Sequence, residues 1–179
     1  MIDKVLSFIA DKLNATLQTQ WPSSEPHAVM GQIGGADSTA VESKIIVSIA
    51  NLERETAAQG TNNPRGDGPL PLNVNLFILV AASFGDNYAE ALKFLSAALV
   101  FFHSSPVMTP ATSPNLPAGI EKTTIEFVNL SLQDLNNLWT VRGSLYLPSF
   151  VLKLRTVTFA TDDILSRVPR IRSVPNLRD

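Results

Sequence analysis

Leu72-Asn73-Val74-Asn75-Leu76-Phe77-Ile78-Leu79-Val80 is the stretch that decides how this chain is built. Aliphatic residues at 72, 74, 76, 78 and 80 recur every second position. That is the period of a pleated strand, and a helix would scatter them around its circumference. The residues between them change from Asn73 and Asn75 to Phe77 and Leu79. One face is therefore apolar throughout, while the other starts polar and becomes apolar. A strand of that kind belongs in the middle of a sheet, covered on both sides along its second half.

Upstream, Ile45, Ile46, Val47 and Ile49 are β-branched and crowded together, which predicts a second strand buried on both faces and running to about Leu52. Glu53-Arg54-Glu55 then leaves the core, and residues 56 to 69 are too rich in Gly, Asn and Pro for regular structure. Further upstream, Ile2, Val5, Leu6, Ile9, Leu13 and Leu17 follow helical spacing, so residues 2 to 18 read as an amphipathic helix ended by Trp21-Pro22. Residues 22 to 43 form a long loop, with room for a short strand at Val29, Met30 and Ile33.

Downstream, Asn87 and Glu90 have the spacing of a capping box. They open a second helix whose apolar face reads as Tyr88, Ala91, Leu92, Leu95, Leu99 and Phe102. Pro106, Pro110, Pro114 and Pro117 forbid further helix and predict an extended crossover. Thr123, Ile125 and Phe127 alternate with Lys122, Thr124 and Glu126 as a third strand with one wet face. Ser131 and Asp134 bracket the start of a third helix, with Leu132, Leu135, Leu138 and Trp139 inward and Arg142-Gly143 at its end. Phe150, Leu152 and Leu154 alternate with Lys153 and Arg155 as a fourth strand through about Phe159. The expected fold is α/β in the α+β sense: a mixed, mostly antiparallel sheet of about four to five strands with three helices packed on it.

At 179 residues the chain suits one domain, with 45% hydrophobic and only 17% charged residues. So little charge points to apolar surface covered by other subunits. The formal charge of −2 lacks the basic excess that phosphate binding needs, so nucleic acid is not an expected partner. With no cysteine, disulfides, thiolate nucleophiles and cysteine zinc sites are excluded. Asp3, Lys4, Asp11 and Lys12 interrupt the N-terminal helix, so it is no secretory signal, and no apolar run reaches the length of a membrane span. A soluble chain made in the cytoplasm, not inserted in a membrane, is expected.

Little in the sequence carries chemistry. His27 and His103 lie in a proline-rich loop and at a helix C-terminus, with no partner motif that would make either a general base. Asp162-Asp163 is an adjacent pair that caps a turn better than it chelates a metal, so no metal and no cofactor are expected. Gly31-x-x-Gly34-Gly35 lacks the Gly-Lys-Ser/Thr ending of a phosphate loop. Arg65-Gly66-Asp67 reads as turn composition, and the sequons at Asn14 and Asn129 imply nothing without a secretory route. No acid/base or nucleophile constellation points to an enzyme. The one charge feature with a functional reading is the C-terminal arm, residues 160–179, where Arg167, Arg170, Arg172 and Arg178 accompany Pro169 and Pro175. Such an arm cannot fold alone, and its guanidinium forks fit an acidic neighbouring subunit.

Three stretches carry a resemblance. Met1-Ile2-Asp3-Lys4-Val5-Leu6-Ser7-Phe8-Ile9 resembles the opening of the terminator (cap) family of extracellular contractile injection systems, of the antifeeding-prophage and virulence-cassette type. Residues 71–82 followed by 88–96 are similar to the same family, as are Gly119 to Lys122, Leu130 to Trp139 and Tyr146-Leu147-Pro148-Ser149. The resemblance spans residues 1–159 and leaves out the loops at 22 to 43 and 56 to 69 and the basic arm. It implies a tail-terminator fold assembled as a six-fold ring, with no catalytic residues, that ends the inner tube and the sheath away from the baseplate. The implied partners are copies of the chain itself, the inner-tube protein and the sheath protein; the charge and prolines of the arm, outside the resemblance, fit a clasp on a sheath subunit. The implied setting is a released phage-tail-like particle. The rival reading is a small-ligand-binding regulatory α/β module, which calls for a concave apolar pocket.

Overall fold

The computed structural model describes residues 1–33, 43–55, 72–120, 122–143 and 145–159. Over these the chain forms α1 (Ile2–Gln20), β1 (Ala28–Met30), β2 (Lys44–Arg54), β3 (Leu72–Ser83), α2 (Tyr88–Ser104), β4 (Val107–Met108), β5 (Thr123–Val128), α3 (Leu132–Arg142) and β6 (Ser149–Phe159). The six strands make one sheet in the order β1-β2-β3-β6-β5-β4. β1 runs parallel to β2, and every other neighbour is antiparallel. β1 takes the place left for a short strand, ending before Ile33, and the expected four to five strands become six because β4, at two residues, is too short to show a period of two.

β3 lies in the interior of the sheet, as its two-faced pattern requires, with Leu76 beside Leu154, Ile78 beside Leu152 and Val80 beside Phe150. Leu76, Ile78 and Val80 are sealed on one side and Leu79 and Ala81 on the other. The ladder slips twice. Ala50 is an extra residue on β2 between Ile49 and Asn51, and Asn75 faces both Arg155 and Thr156 on β6. Such bulges bend and twist the strands that carry them.

α1 and α2 pack on one face of the sheet. Val5, Phe8, Ile9, Leu13 and Leu17 of α1 meet Ile45, Val47, Leu76, Ile78 and Val80 in the main core. α1 buries the stripe its spacing predicts and runs two residues past the expected end before Trp21 stops it. On α2 the buried face is turned from the expected one. Ala91, Phe94, Leu95, Ala98, Phe101 and Phe102 point inward, while Tyr88, Leu92 and Leu99 are exposed. The helix is apolar almost all round, so periodicity alone selects no single side. Asn87 caps it as expected, with its Oδ1 accepting the Glu90 N–H at 3.2 Å and its Nδ2 donating to Glu90 Oε2 at 2.6 Å.

α3 covers the other face, where Trp139 is buried against Ile46, Leu79, Ala81 and Val151, with Leu135 and Leu138 at the margin. Leu132, expected inward, is 86% exposed because it opens the helix beyond the edge of this smaller core. Ser131 Oγ accepts the Asp134 N–H at 3.1 Å, and Gly143 ends the helix at φ +63°. Glu55 also departs from expectation. Glu53 and Arg54 are exposed, but Glu55 is buried, accepting from Asn75 Nδ2 at 2.9 Å and lying 3.4 Å from the Arg155 guanidinium.

Candidate assembly surface

The outward side of α2 is the first feature a lone subunit does not explain. Leu92, Leu99 and Val100 face solvent, Val100 with 67% of its surface exposed. Near the end of the helix Leu99, Val100, His103 and Ser104 meet Phe127 of β5 around a groove of about 390 Å³, walled almost entirely by carbon. Phe127, read from the sequence as buried, is 38% exposed there, with its ring centroid 5.6 Å from that of Phe150.

On the opposite sheet face Leu130, Val141 and Leu138 border a second groove of about 380 Å³ over Phe77, Val128 and Val151. Val141 on this groove is 88% exposed, and Leu145, three residues past the end of α3, is 90% exposed. Exposed apolar groups on two different sides are what a subunit with two unlike contact faces presents.

Beyond α3 the same face becomes ionic. Arg155 lies between Glu126 at 3.3 Å and Glu55 at 3.4 Å, and Lys153 stands 4.0 Å from Glu53 and over the ring of Phe77. The hydrogen bond and charge of Glu126, with the charge of Glu55, hold the Arg155 guanidinium above its ordinary pKa. Arg142, the last residue of α3, donates Nη2 to the Ile49 carbonyl at 2.7 Å and Nη1 to Ser48 Oγ at 3.4 Å, which ties the helix to the strand beside the Ala50 bulge. Burial pushes its pKa below the usual value.

Of the two histidines only His27 takes a packing role. His27 Nε2 bonds the Trp21 carbonyl at 2.6 Å, and its ring lies 5.0 Å from Phe94, inside a cluster with Trp21 and Phe84. Asn14, noticed in the sequence only as a sequon, is the residue that fixes this turn. Its Oδ1 accepts the backbone N–H groups of His27 at 2.7 Å and Ala28 at 3.3 Å. His103 is exposed on the α2 groove. Gly31 donates its N–H to Val47 and extends the β1–β2 ladder, so that amide is engaged in the sheet and turned away from any ligand. Gly34, Gly35, Arg65 to Asp67, Asp162, Asp163 and the arm arginines Arg167, Arg170, Arg172 and Arg178 lie outside the described residues. Among the described residues no three His, Asp or Glu side chains gather as metal ligands, and no helix is long and apolar enough to cross a membrane.

The fold is similar to two solved structures. One is described as the PVC sheath/tube terminator, in its extended state, of an extracellular contractile injection system: 16% identity, TM-score 0.57, covering 96% of this chain and 63% of that one. The other is the anti-feeding prophage cap, a tube-terminating cap: 15% identity, TM-score 0.53, covering 93% of this chain and 59% of that one. At such identities the likeness is one of fold, and this chain spans less than two thirds of either relative. Among curated proteins no sequence matches. The family model described as the Pvc16 N-terminal domain matches residues 4–173, nearly the whole chain. The resemblance first read from three sequence stretches thus holds in both sequence and fold, and the chain belongs to the Pvc16 N-terminal domain family.

Proposed function

We propose that this protein is a structural, non-enzymatic cap of a phage-tail-like contractile injection system. Six copies close side by side into a ring on the last ring of inner tube, at the end away from the baseplate, and the last sheath ring is anchored to it. Polymerisation stops because the outer side of the ring carries no copy of the patch that the tube protein recognises. The chain is made in the bacterial cytoplasm and becomes part of a released particle. Residues 1–159 form the cap body, and residues 160–179 form a basic arm whose arginines, Arg167, Arg170, Arg172 and Arg178, grip a neighbouring subunit.

The observation that carries this reading is the outward apolar face of α2, with Leu92, Leu99 and Val100 exposed, on a fold similar to solved tube and sheath terminators. A helix with apolar residues on both sides is partnered on both sides. A closed heterologous ring supplies such a partner to each subunit, while a self-contained ligand-binding domain does not. Electron micrographs of particles assembled without this protein test the proposal. Tubes and sheaths of uncontrolled length are expected, and particles of normal, uniform length without it would remove the capping role.

A further inference from the structure

β5 is only partly covered at its outer edge. β4 pairs with Thr123 and Thr124, and the Pro106 carbonyl accepts the Ile125 N–H at 2.8 Å. Among the described residues no strand lies against that edge from Glu126 to Val128. In a ladder, alternate residues turn their N–H and C=O to the same side. Ile125 faces outward, so Phe127 does too, with its amide and carbonyl presented to an incoming chain.

The two sides of this edge differ in chemistry. On the α2 side lies the carbon-walled groove of Leu99, Val100, His103, Ser104 and Phe127. On the other side stands Glu126, half exposed, whose Oε1 meets Arg155. A strand added here needs an apolar residue facing the groove and cations on either side of it along the chain, at a period of two.

We infer that this edge seats Arg170-Ile171-Arg172 of a second copy of the chain as an added antiparallel strand. Ile171 enters the groove opposite Phe127 and exchanges both backbone hydrogen bonds with it. Arg170 and Arg172 then fall on the Glu126 side, with Arg172 directly opposite Glu126. Pro169, which has no N–H, comes level with Asn129, past the end of β5, where no ladder bond is lost. The donor is a second copy because β6 ends at Phe159, three residues beyond the level of Thr123 at the start of β5, and β4 and Pro106 stand between that point and the open stretch. A chain reaching its own edge must detour around them. A neighbour's arm, with eleven residues from Phe159 to Arg170 and a reach of up to about 36 Å, is under no such constraint.

This rests on the ring proposed above and names the neighbour that the arm grips. Each subunit then gives an arm on one side and an edge on the other, the head-to-tail contact that closes a ring.

The chain has no cysteine, which makes the test clean. Glu126→Cys and Arg172→Cys are made in separate full-length proteins, mixed and oxidised, with Glu90→Cys mixed with Arg172→Cys as control. The expected result is a disulfide-linked dimer on a non-reducing gel from the first mixture, absent from either protein alone and from the control. Three results overturn the inference: no dimer above control, a doubly substituted chain that closes its disulfide within itself, or an arm truncated after Thr161 that forms rings as well as the intact chain. If the cross-link fails while light scattering still shows a ring, the seat falls and the cap reading stands. If the protein stays a single subunit at every concentration, both fall.

Discussion

Phe102 and Val100 are two residues apart on α2 and face opposite ways, so substituting each separates what holds the subunit from what joins subunits. Phe102 is 1% exposed, with ring centroids 4.8 Å from Phe101 and 6.1 Å from Phe150. Phe102→Ala removes a buried ring and leaves a cavity, a loss of roughly 3–5 kcal/mol. At roughly 2–4 °C per kcal/mol for a chain of this length, the midpoint falls by about 6–20 °C. Val100 is 67% exposed. Val100→Lys should move subunit stability by no more than about 0.5 kcal/mol, since lysine is the better helix former and its charge suits the C-terminal end of α2. In a ring the same ammonium is forced against carbon, so association should weaken sharply. Thermal unfolding by circular dichroism at low concentration reads the first effect, and sedimentation velocity at high concentration reads the second. If Val100→Lys lowers the midpoint as far as Phe102→Ala does, the outer side of α2 is packed within its own chain and the argument for a partnered face is refuted.

Two further substitutions test how the scaffold is held. Asn14→Ala strips the acceptor from the His27 and Ala28 amides, which should cost roughly 1–3 kcal/mol, read as a lower urea midpoint, and an unchanged midpoint would remove Asn14 as the fastener of that turn. Gly143 sits at φ +63° with nothing within 4 Å of where a Cβ would stand, so Gly143→Ala should cost about 1 kcal/mol through the backbone alone. Gly143→Asn should cost less, and calorimetry that ranks them the other way would contradict a left-handed cap.

How far the sequence could be read depended on how unequal the two sides of each element were. β3 announced itself because Asn73 and Asn75 contrast with Leu72 and Val74 while Phe77 and Leu79 do not, so both its period and its change of surroundings were visible. α1 was equally legible, its Lys and Asp residues marking the wet side. α2 was not, because Leu92, Leu99 and Val100 are as apolar as Leu95 and Phe102, and a helix greasy on two sides hides which one meets its own sheet. That ambiguity was itself the functional signal. β4 is too short for any period, and the ties from Asn14 to His27 and from Arg142 to Ile49 span loops and strands whose spacing in the chain says nothing about proximity. The burial of Glu55 escapes the sequence for the same reason, since Asn75 and Arg155, which keep it inside, arrive from distant strands.

The two bulges divide the long strands unequally. On the near side, β2, β3 and β6 are clamped between helices. Past Ala50 the β2 residues from Asn51 to Arg54 are all exposed, and the ladder they share with β3 runs on to Leu72, out to where β6 ends at Phe159. Free energy of local opening follows the number of buried apolar contacts, so this outer stretch of β2 is held by the ladder alone while Leu76 and Leu154 stay sealed beside it. Amide exchange should therefore run faster along Asn51 to Arg54 than along Ile45 to Val47, a gradient within one continuous strand.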